Sequence, residues 1–231
     1  MSSPAPGTIL VIQPHADDVD ISSGASVARW CREGERVAYV TCKSGEAGRS
    51  EPPLPPEELS VLREQEERAA AAILGVAGVH FLRHPDGGLT VTPALEQELV
   101  ALILEYRPRR LVTHGPWSNG EGRPDHLHAG EAALAAMMAA ARAGHRGPEV
   151  YLYRSDEPNT AVDVTKTLHL KLAAVEPHRT RRSIGEAPAS AIEAWAVATG
   201  ERWGLTMAES FRVVDFDACA PLFAQSGETA P

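Results

Sequence analysis

Short β-branched runs alternate along this 231-residue chain with long Ala-rich segments whose apolar residues recur at helical spacing. This alternation is typical of βαβ units, in which neighbouring strands run parallel. We therefore expect an α/β fold, a single-domain Rossmann-like three-layer sandwich with a largely parallel sheet, over residues 1–231, with flexible ends at 1–6 and 225–231. The predicted strands are TILVIQ (8–13), RVAYVTC (36–42), VHFL (79–82), RRLVTH (109–114), EVYLYR (149–154) and a late FRVVDF (211–216). The predicted helices cover residues 23–33, 57–74, 93–106, 126–144, 165–175 and 189–201.

Charge and hydropathy argue against several classes of partner. The formal net charge is −9 and the sequence pI is about 5.5, whereas nucleic acids and anionic membranes bind concentrated basic patches. The segment MSSPAPG has no signal-peptide pattern, and no apolar run approaches membrane-spanning length. We expect a cytoplasmic protein that binds no nucleic acid and has no membrane anchor. The cysteines lack metal-site or disulfide spacing and are predicted to be reduced packing residues: Cys31, Cys42 and Cys219.

Charged side chains crowd the end of the first predicted strand, where QPHADDVD (13–20) follows TILVI. In open α/β sheets, ligands bind at the carboxyl ends of the strands, so this segment lies at the expected active edge. On a tight loop, His15 and Asp18 are spaced so that an imidazole nitrogen and a carboxylate oxygen converge on one cation. Acidic residues at a helix start are also common N-caps, so the alternative is that Asp17 or Asp18 caps the following helix.

A second His/Asp cluster follows the fourth predicted strand, in SNGEGRPDHLH (118–128), where Asp125 and His126 precede an Ala-rich helix. Two histidines and one carboxylate that leave an open coordination position are a standard arrangement for catalytic zinc. The two clusters together predict a site for Zn²⁺, or another divalent metal, made by His15, Asp18 and His126. Asp17 would then be placed to take a proton from the attacking water.

Seven short motifs follow one another along the chain: PHADD (14–18), TCKSGEAG (41–48), LREQEERAAAAILG (62–75), FLRHPDGGL (81–89), RPDH (123–126), KLAAVEPHRTR (171–181) and AESFRVV (208–214). In this order and spacing they resemble the motifs of the LmbE-like or PIG-L family of zinc-dependent N-acetylglucosamine deacetylases. Each motif alone is only moderately specific, and the family match rests on their order.

The resemblance implies zinc-dependent hydrolysis of the N-acetyl group of a small N-acetylglucosamine-containing conjugate, which releases acetate and a free amine. By position, Asp17 matches the family's general base, and its zinc ligands correspond to His15, Asp18 and His126. Arg63 and Asp86 are then candidates to bind sugar hydroxyls. The alternatives are a surface salt bridge for Arg63 and a turn residue before two glycines for Asp86.

One departure concerns the chemistry itself, because Arg123 stands where the family's HPDH motif has its first histidine. Arginine stays protonated, so Arg123 would stabilise an oxyanion but would not shuttle a proton. Either Asp17 performs both the acid and the base step, or another histidine replaces the missing one as the acid. The candidates are His114, His128 and His178, of which His178 has the strongest family match and His128 is more readily interpreted as a helix-surface residue.

The remaining site predictions concern the rim of the cleft. Asp125 is expected to orient the metal ligands from outside the coordination sphere, or to cap the following helix. Trp117 and Asn119 precede the second cluster and are candidates to contact substrate. Lys43, Ser44 and the GEAG loop are expected to border the cleft, with Glu46 in a structural role. The expected partner is a small-molecule aminosugar conjugate, and the oligomeric state stays open.

Three other functions stay open on the sequence. The first is a catalytically impaired or repurposed aminosugar-binding member, which the Arg123 substitution motivates. The second is a metal-dependent hydrolase of another bond, such as a phosphoesterase. The third is a nucleotide-binding α/β module, against which the lack of a G-x-G-x-x-G or Walker loop counts.

Overall fold

A computed structural model describes residues 7–48, 50, 52–117, 124–145, 147–182 and 189–216. Its strands, in chain order, are β1 (Thr8–Gln13), β2 (Arg36–Lys43), β3 (Gly78–His84), β4 (Arg110–His114), β5 (Glu149–Tyr153), β6 (Thr160–Asp163) and β7 (Ala208–Val214). Its helices are α1 (Asp18–Arg32), α2 (Pro56–Leu74), α3 (Pro93–Tyr106), α4 (Pro124–Arg142), α5 (Leu168–Val175), α6 (Arg179–Arg182) and α7 (Ala189–Trp203).

The strands form one mixed sheet in the order β3-β2-β1-β4-β5-β7-β6. Strands β1 to β5 pair in parallel, and β7 runs antiparallel to both of its neighbours. The predicted α/β fold with a largely parallel sheet is confirmed. The strand order reverses between β1 and β4, and in such sheets the ligand crevice lies outside the carboxyl ends of the strands at that reversal.

Strand β1 is buried on both faces, which is why it is a continuous apolar run. Leu10 and Ile12 belong to a core cluster that includes apolar side chains of α3 and α4. Ile9 and Val11 belong to a second cluster, on the opposite face, that includes side chains of α1 and α2. The sheet therefore lies between two helical layers, as predicted for a three-layer sandwich.

The structure differs from the prediction mainly at element boundaries. Helix α1 begins at Asp18 and not at Ser23, because Ser23 has non-helical torsions (φ −140°, ψ 15°) that kink a helix already under way. Strand β6 and helix α6 were not predicted. Each is only four residues long, too short to show a periodic pattern, and β6 pairs with β7 in the antiparallel part of the sheet.

Two predictions on composition can be compared with the described part of the chain. No helix there is both long and apolar enough to cross a membrane. Cys31 and Cys42 are free thiols, whereas Cys219 lies outside the described residues.

Candidate active site

The two predicted His/Asp clusters meet at the carboxyl edge of the sheet, where the strand order reverses. His15 lies in the loop after β1, Asp18 is the first residue of α1, and His126 lies in the first turn of α4. One donor atom from each of these three side chains lies within 4.8 Å of the others. Residues more than 100 positions apart are thus brought together because β1 and β4 are neighbouring parallel strands.

Asp18 lies at a ligand-to-ligand distance from each of the two histidines. Asp18 Oδ2 lies 3.1 Å from His15 Nδ1 and also accepts the His15 backbone N–H at 3.0 Å, while Asp18 Oδ1 lies 3.4 Å from His126 Nε2. Donor atoms about 2.1 Å from a tetrahedral zinc ion lie about 3.4 Å apart. The donor set and these two distances fit a divalent metal ion such as zinc.

Without a metal ion, the carboxylates around His15 favour its protonated form. Burial would lower its pKa, but hydrogen bonds and charges from Asp18 and Asp86 outweigh burial and raise the pKa to about 9. Because a metal binds neutral imidazole, metal binding here would have to displace a proton.

Asp17 occupies the N-cap position of α1 but does not cap the helix with its side chain. Its backbone is left-handed (φ 89°, ψ −21°), which is uncommon for a residue with a Cβ, and the residue is completely buried. The proposed alternative of a capping aspartate therefore does not describe Asp17. Residues in such sparsely populated backbone conformations cluster at functional sites.

Two buried polar side chains, Gln13 and Glu67, bind the backbone of this loop. The Asp17 N–H donates to Glu67 Oε2 at 2.9 Å, and Gln13 Nε2 donates to Glu67 Oε1 at 2.6 Å. Gln13 Oε1 in turn accepts the backbone N–H of Val19 at 2.9 Å. These bonds connect α2 to both sides of the Asp17 turn, so the position of α2 determines where the turn lies.

His178 lies in a second buried cluster, with Asp20 and Glu67. Its Nε2 lies 2.9 Å from Asp20 Oδ2 and 4.0 Å from Glu67 Oε2. Burial would lower the pKa of His178, but the hydrogen bond and charge of Asp20 raise it to about 9. Tyr39 Oη also donates to Asp20, at 3.1 Å. The structure thus places His178 behind the Asp17 turn, where it contacts Asp20.

Comparison with known proteins identifies the scaffold that carries this geometry. The model of the PIG-L family, described as GlcNAc-PI de-N-acetylase, matches residues 10–137, a span that contains His15, Asp17, Asp18 and His126. The chain belongs to the PIG-L family.

Relatives and a solved structure extend the likeness over most of the chain. A diacetylchitobiose deacetylase of Thermococcus kodakarensis is 31% identical over 75% of this chain and 69% of that protein. A 1D-myo-inositol 2-acetamido-2-deoxy-alpha-D-glucopyranoside deacetylase of Geodermatophilus obscurus is 35% identical over 60% of this chain, which spans 55% of that protein. The structure of N,N'-diacetylchitobiose deacetylase from Pyrococcus horikoshii superposes with a TM-score of 0.83 at 27% identity, over 92% of this chain and 85% of that one.

Two predicted residues of this PIG-L chain, Asp86 and Asp125, meet beside His15. Asp86 Oδ1 and Asp125 Oδ2 each lie 3.5 Å from His15 Nε2. Hydrogen bonding to His15 is the largest influence on Asp86 and, with Lys43, lowers the pKa of that carboxyl far below its usual range. Asp125 Oδ1 also accepts the Leu89 N–H at 2.6 Å. Asp125 therefore links α4 to the segment after β3.

Arg63 is a buried residue and not a surface one. It lies on α2 with only 8% of its surface exposed, against the glycines of the GEAG motif. A Cβ at Gly45 or Gly48 would lie 2.7 or 2.2 Å from an Arg63 guanidinium nitrogen. The loop thus approaches the guanidinium closely at both glycines, and the alternative of a surface salt bridge does not apply.

The other predicted residues lie around this centre or outside the described part. Trp117 is exposed after β4, whereas Asn119 and Arg123 lie outside the described residues. The His114 ring packs 5.1 Å from the His126 ring. His128 is half-buried, with Nδ1 2.5 Å from the Leu89 carbonyl oxygen, so it is not the exposed helix residue that the sequence favoured.

Glu67 and Gln13 have no role in the sequence prediction, although α2 carries a signal for Glu67. The buried stripe of α2 includes charged positions among apolar ones: Leu59, Arg63, Glu66, Glu67, Ala70, Ala71 and Leu74. A charge on the buried face of a helix indicates a specific partner, because burying it alone is costly. The identity of that partner requires the tertiary structure.

Proposed function

We propose that this chain is a zinc-dependent N-deacetylase that releases acetate from a small conjugate containing N-acetylglucosamine. The observation that carries the proposal is the convergence of His15, Asp18 and His126 directly beside the buried Asp17, in a member of a de-N-acetylase family. Both relatives named above are deacetylases, and their names describe acetylated amino sugars.

In this proposal His15, Asp18 and His126 hold the zinc ion. Their two nitrogens and one oxygen match the usual donor set of a hydrolytic zinc site with one open position. When bound, zinc would polarise the acetyl carbonyl and make water more acidic. Another divalent metal with the same ligand preferences would serve the same purpose.

Asp17 is the proposed general base. Its carboxylate takes a proton from water as the water oxygen bonds to the acetyl carbon. When the C–N bond breaks, the same carboxyl returns the proton to the departing nitrogen, so the products are acetate and a free amine. One buried carboxyl adjacent to the metal ligands performs both transfers, which suits a chain with arginine at position 123.

Asp86 and Arg63 are the proposed contacts for sugar hydroxyls. The lowered pKa of Asp86 keeps it ionised at neutral pH, so it accepts hydrogen bonds and does not donate them. Arg63, which lies against the GEAG loop, provides guanidinium donors. A donor and an acceptor held by separate elements recognise adjacent hydroxyls, which both donate and accept. We propose Trp117 and Asn119 as further substrate contacts, Arg123 as the group that stabilises the oxyanion, and His178 as a group that acts through Asp20.

The test is acetate release by metal-stripped protein, with and without added zinc. The panel contains N-acetylglucosamine, diacetylchitobiose, an inositol-linked N-acetylglucosamine and a phosphate ester, and Asp17→Asn is the matched inactive control. Zinc-dependent acetate release from an amide substrate, lost in the control, supports the proposal. Folded, zinc-loaded protein that is silent on all amides would instead indicate an impaired or repurposed member. Phosphate release alone would indicate hydrolysis of another bond.

A further inference from the structure

A buried ammonium group lies beside the proposed metal centre. Lys43 is the last residue of β2, and its side chain is completely removed from solvent. Its Nζ lies 2.9 Å from Asp86 Oδ1 and 2.5 Å from Asp125 Oδ2. The two carboxylates come from the loop after β3 and from the first turn of α4, so Lys43 joins three separate elements.

The same two carboxylates also form a metal-type constellation with His15. Donor atoms of His15, Asp86 and Asp125 all lie within 4.8 Å of one another. His15 Nδ1 faces Asp18, while His15 Nε2 faces Asp86 and Asp125 at 3.5 Å each. One imidazole therefore stands between two groups of ligand atoms, as it would between two neighbouring metal ions.

The Lys43 ammonium group already lies between the two carboxylates, where a second ion would bind. Two carboxylates that face each other in a partly buried site require a positive charge between them. A lysine provides that charge as part of the chain, whereas a metal ion provides it only at sufficient concentration. An ammonium group has no vacant position at which water or substrate could coordinate. It therefore neutralises the carboxylates without adding a second Lewis acid.

We propose that the Lys43 ammonium occupies a second cation position formed by His15, Asp86 and Asp125, and so restricts this site to one metal ion. The inference rests on the proposed role of His15, Asp18 and His126 in holding the first ion. It gives Lys43 the role of a positioning residue, which keeps Asp86 free of metal and available for substrate hydroxyls.

The experiment counts bound zinc in the absence of substrate, so it does not depend on the reaction. Metal-stripped full-length protein is dialysed against zinc and analysed by mass spectrometry of the metal. Lys43→Met removes the charge at nearly constant volume, and Lys43→Gln is a second removal variant for the case that the first does not fold. Lys43→Arg retains a cation, and Lys171→Met is a matched control, since buried Lys171 pairs with a single carboxylate, Glu209, at 2.6 Å.

Each removal variant of Lys43 should bind one more equivalent of zinc than the wild type. Lys43→Arg and Lys171→Met should show no gain, and adding Asp86→Asn to Lys43→Met should abolish it. A folded removal variant with the wild-type zinc content would overturn the inference, and so would a wild-type protein that already binds two equivalents. A wild type that binds no zinc would instead overturn the proposed metal centre, and the difference between wild type and variant would still test Lys43.

Discussion

The Glu67 side chain on α2 accepts the backbone N–H of Asp17 at 2.9 Å, across 50 positions of sequence. Asp17 has a φ of 89°, and a left-handed conformation costs a residue with a Cβ about 1–2 kcal/mol. The bond to Glu67 offsets part of that cost. It also restrains the peptide before Asp17, and so the position of the Cα from which the Asp17 carboxyl projects.

Replacing Glu67 should therefore affect turnover more than substrate binding. We expect Glu67→Leu to lower kcat by about 100-fold, the scale of a 1 Å misplacement, with little change in bound zinc. Glu67→Gln keeps an oxygen that accepts the Asp17 N–H and should recover much of the loss. The measurement is kcat and KM with the best substrate of the panel.

The neighbouring Glu66 is a matched control for this experiment. It is also a buried glutamate of α2, but it accepts bonds from the backbone N–H and hydroxyl of Thr180, at 3.0 and 2.6 Å. Glu66→Gln should lower stability and leave kcat near the wild-type value. Equal kcat losses in the Glu66 and Glu67 variants would show that general destabilisation, and not the Asp17 contact, is responsible.

Asp17 itself should combine an essential carboxyl with a strained backbone. Asp17→Ala and Asp17→Gly should both lose at least about 100-fold in kcat, because both remove the base. Asp17→Gly should nevertheless be more stable than Asp17→Ala by about 1 kcal/mol, since only glycine adopts a positive φ without steric cost. Urea unfolding of both variants provides the measurement, and an alanine variant as stable as the glycine variant would contradict the strain.

The proposed metal ligands can be separated from histidines that only support the fold. His15→Ala and His126→Ala should each abolish stoichiometric zinc binding, because two remaining ligands hold the ion weakly. His80→Gln is the control, as His80 Nε2 lies 2.6 Å from the Tyr106 hydroxyl in a different part of the molecule. Metal analysis after dialysis checks the result. Full zinc occupancy in either alanine variant would remove that histidine from the ligand set.

His178 should make stability depend on pH in the metal-free protein. Its pKa rises from 6.5 to about 9 on folding, so folding favours the protonated form. The resulting stabilisation is fully present below pH 6.5 and is lost as the pH rises through about 9. By linkage, the free energy of unfolding that His178→Gln removes should shrink by up to about 3 kcal/mol between pH 6 and pH 9.5. Urea unfolding of both proteins at the two pH values measures it, and a pH-independent difference would exclude the charged pair with Asp20.

The pattern of strands and helices was readable because it depends on neighbours in sequence. β1 and α3 have the predicted bounds, since an apolar run and a proline-started helix are local signals. The start of α1 was misplaced because Ser22, Ser23 and Gly24 are poor helix formers, and only packing carries the helix through the kink at Ser23.

The candidate site likewise has residues that the sequence predicts and contacts that only the structure shows. The sequence by itself determined the family, the sheet edge and the proposed roles of His15, Asp17, Asp18 and His126, because loop motifs after strands are local in sequence. Only the tertiary structure decided that Lys43 contacts Asp125, 82 positions away, and that Glu67 holds the Asp17 turn. The sequence around Lys43 and Glu67 does not show which residue each of these buried side chains pairs with. That partner is determined by which strand and helix ends the folded sheet brings together.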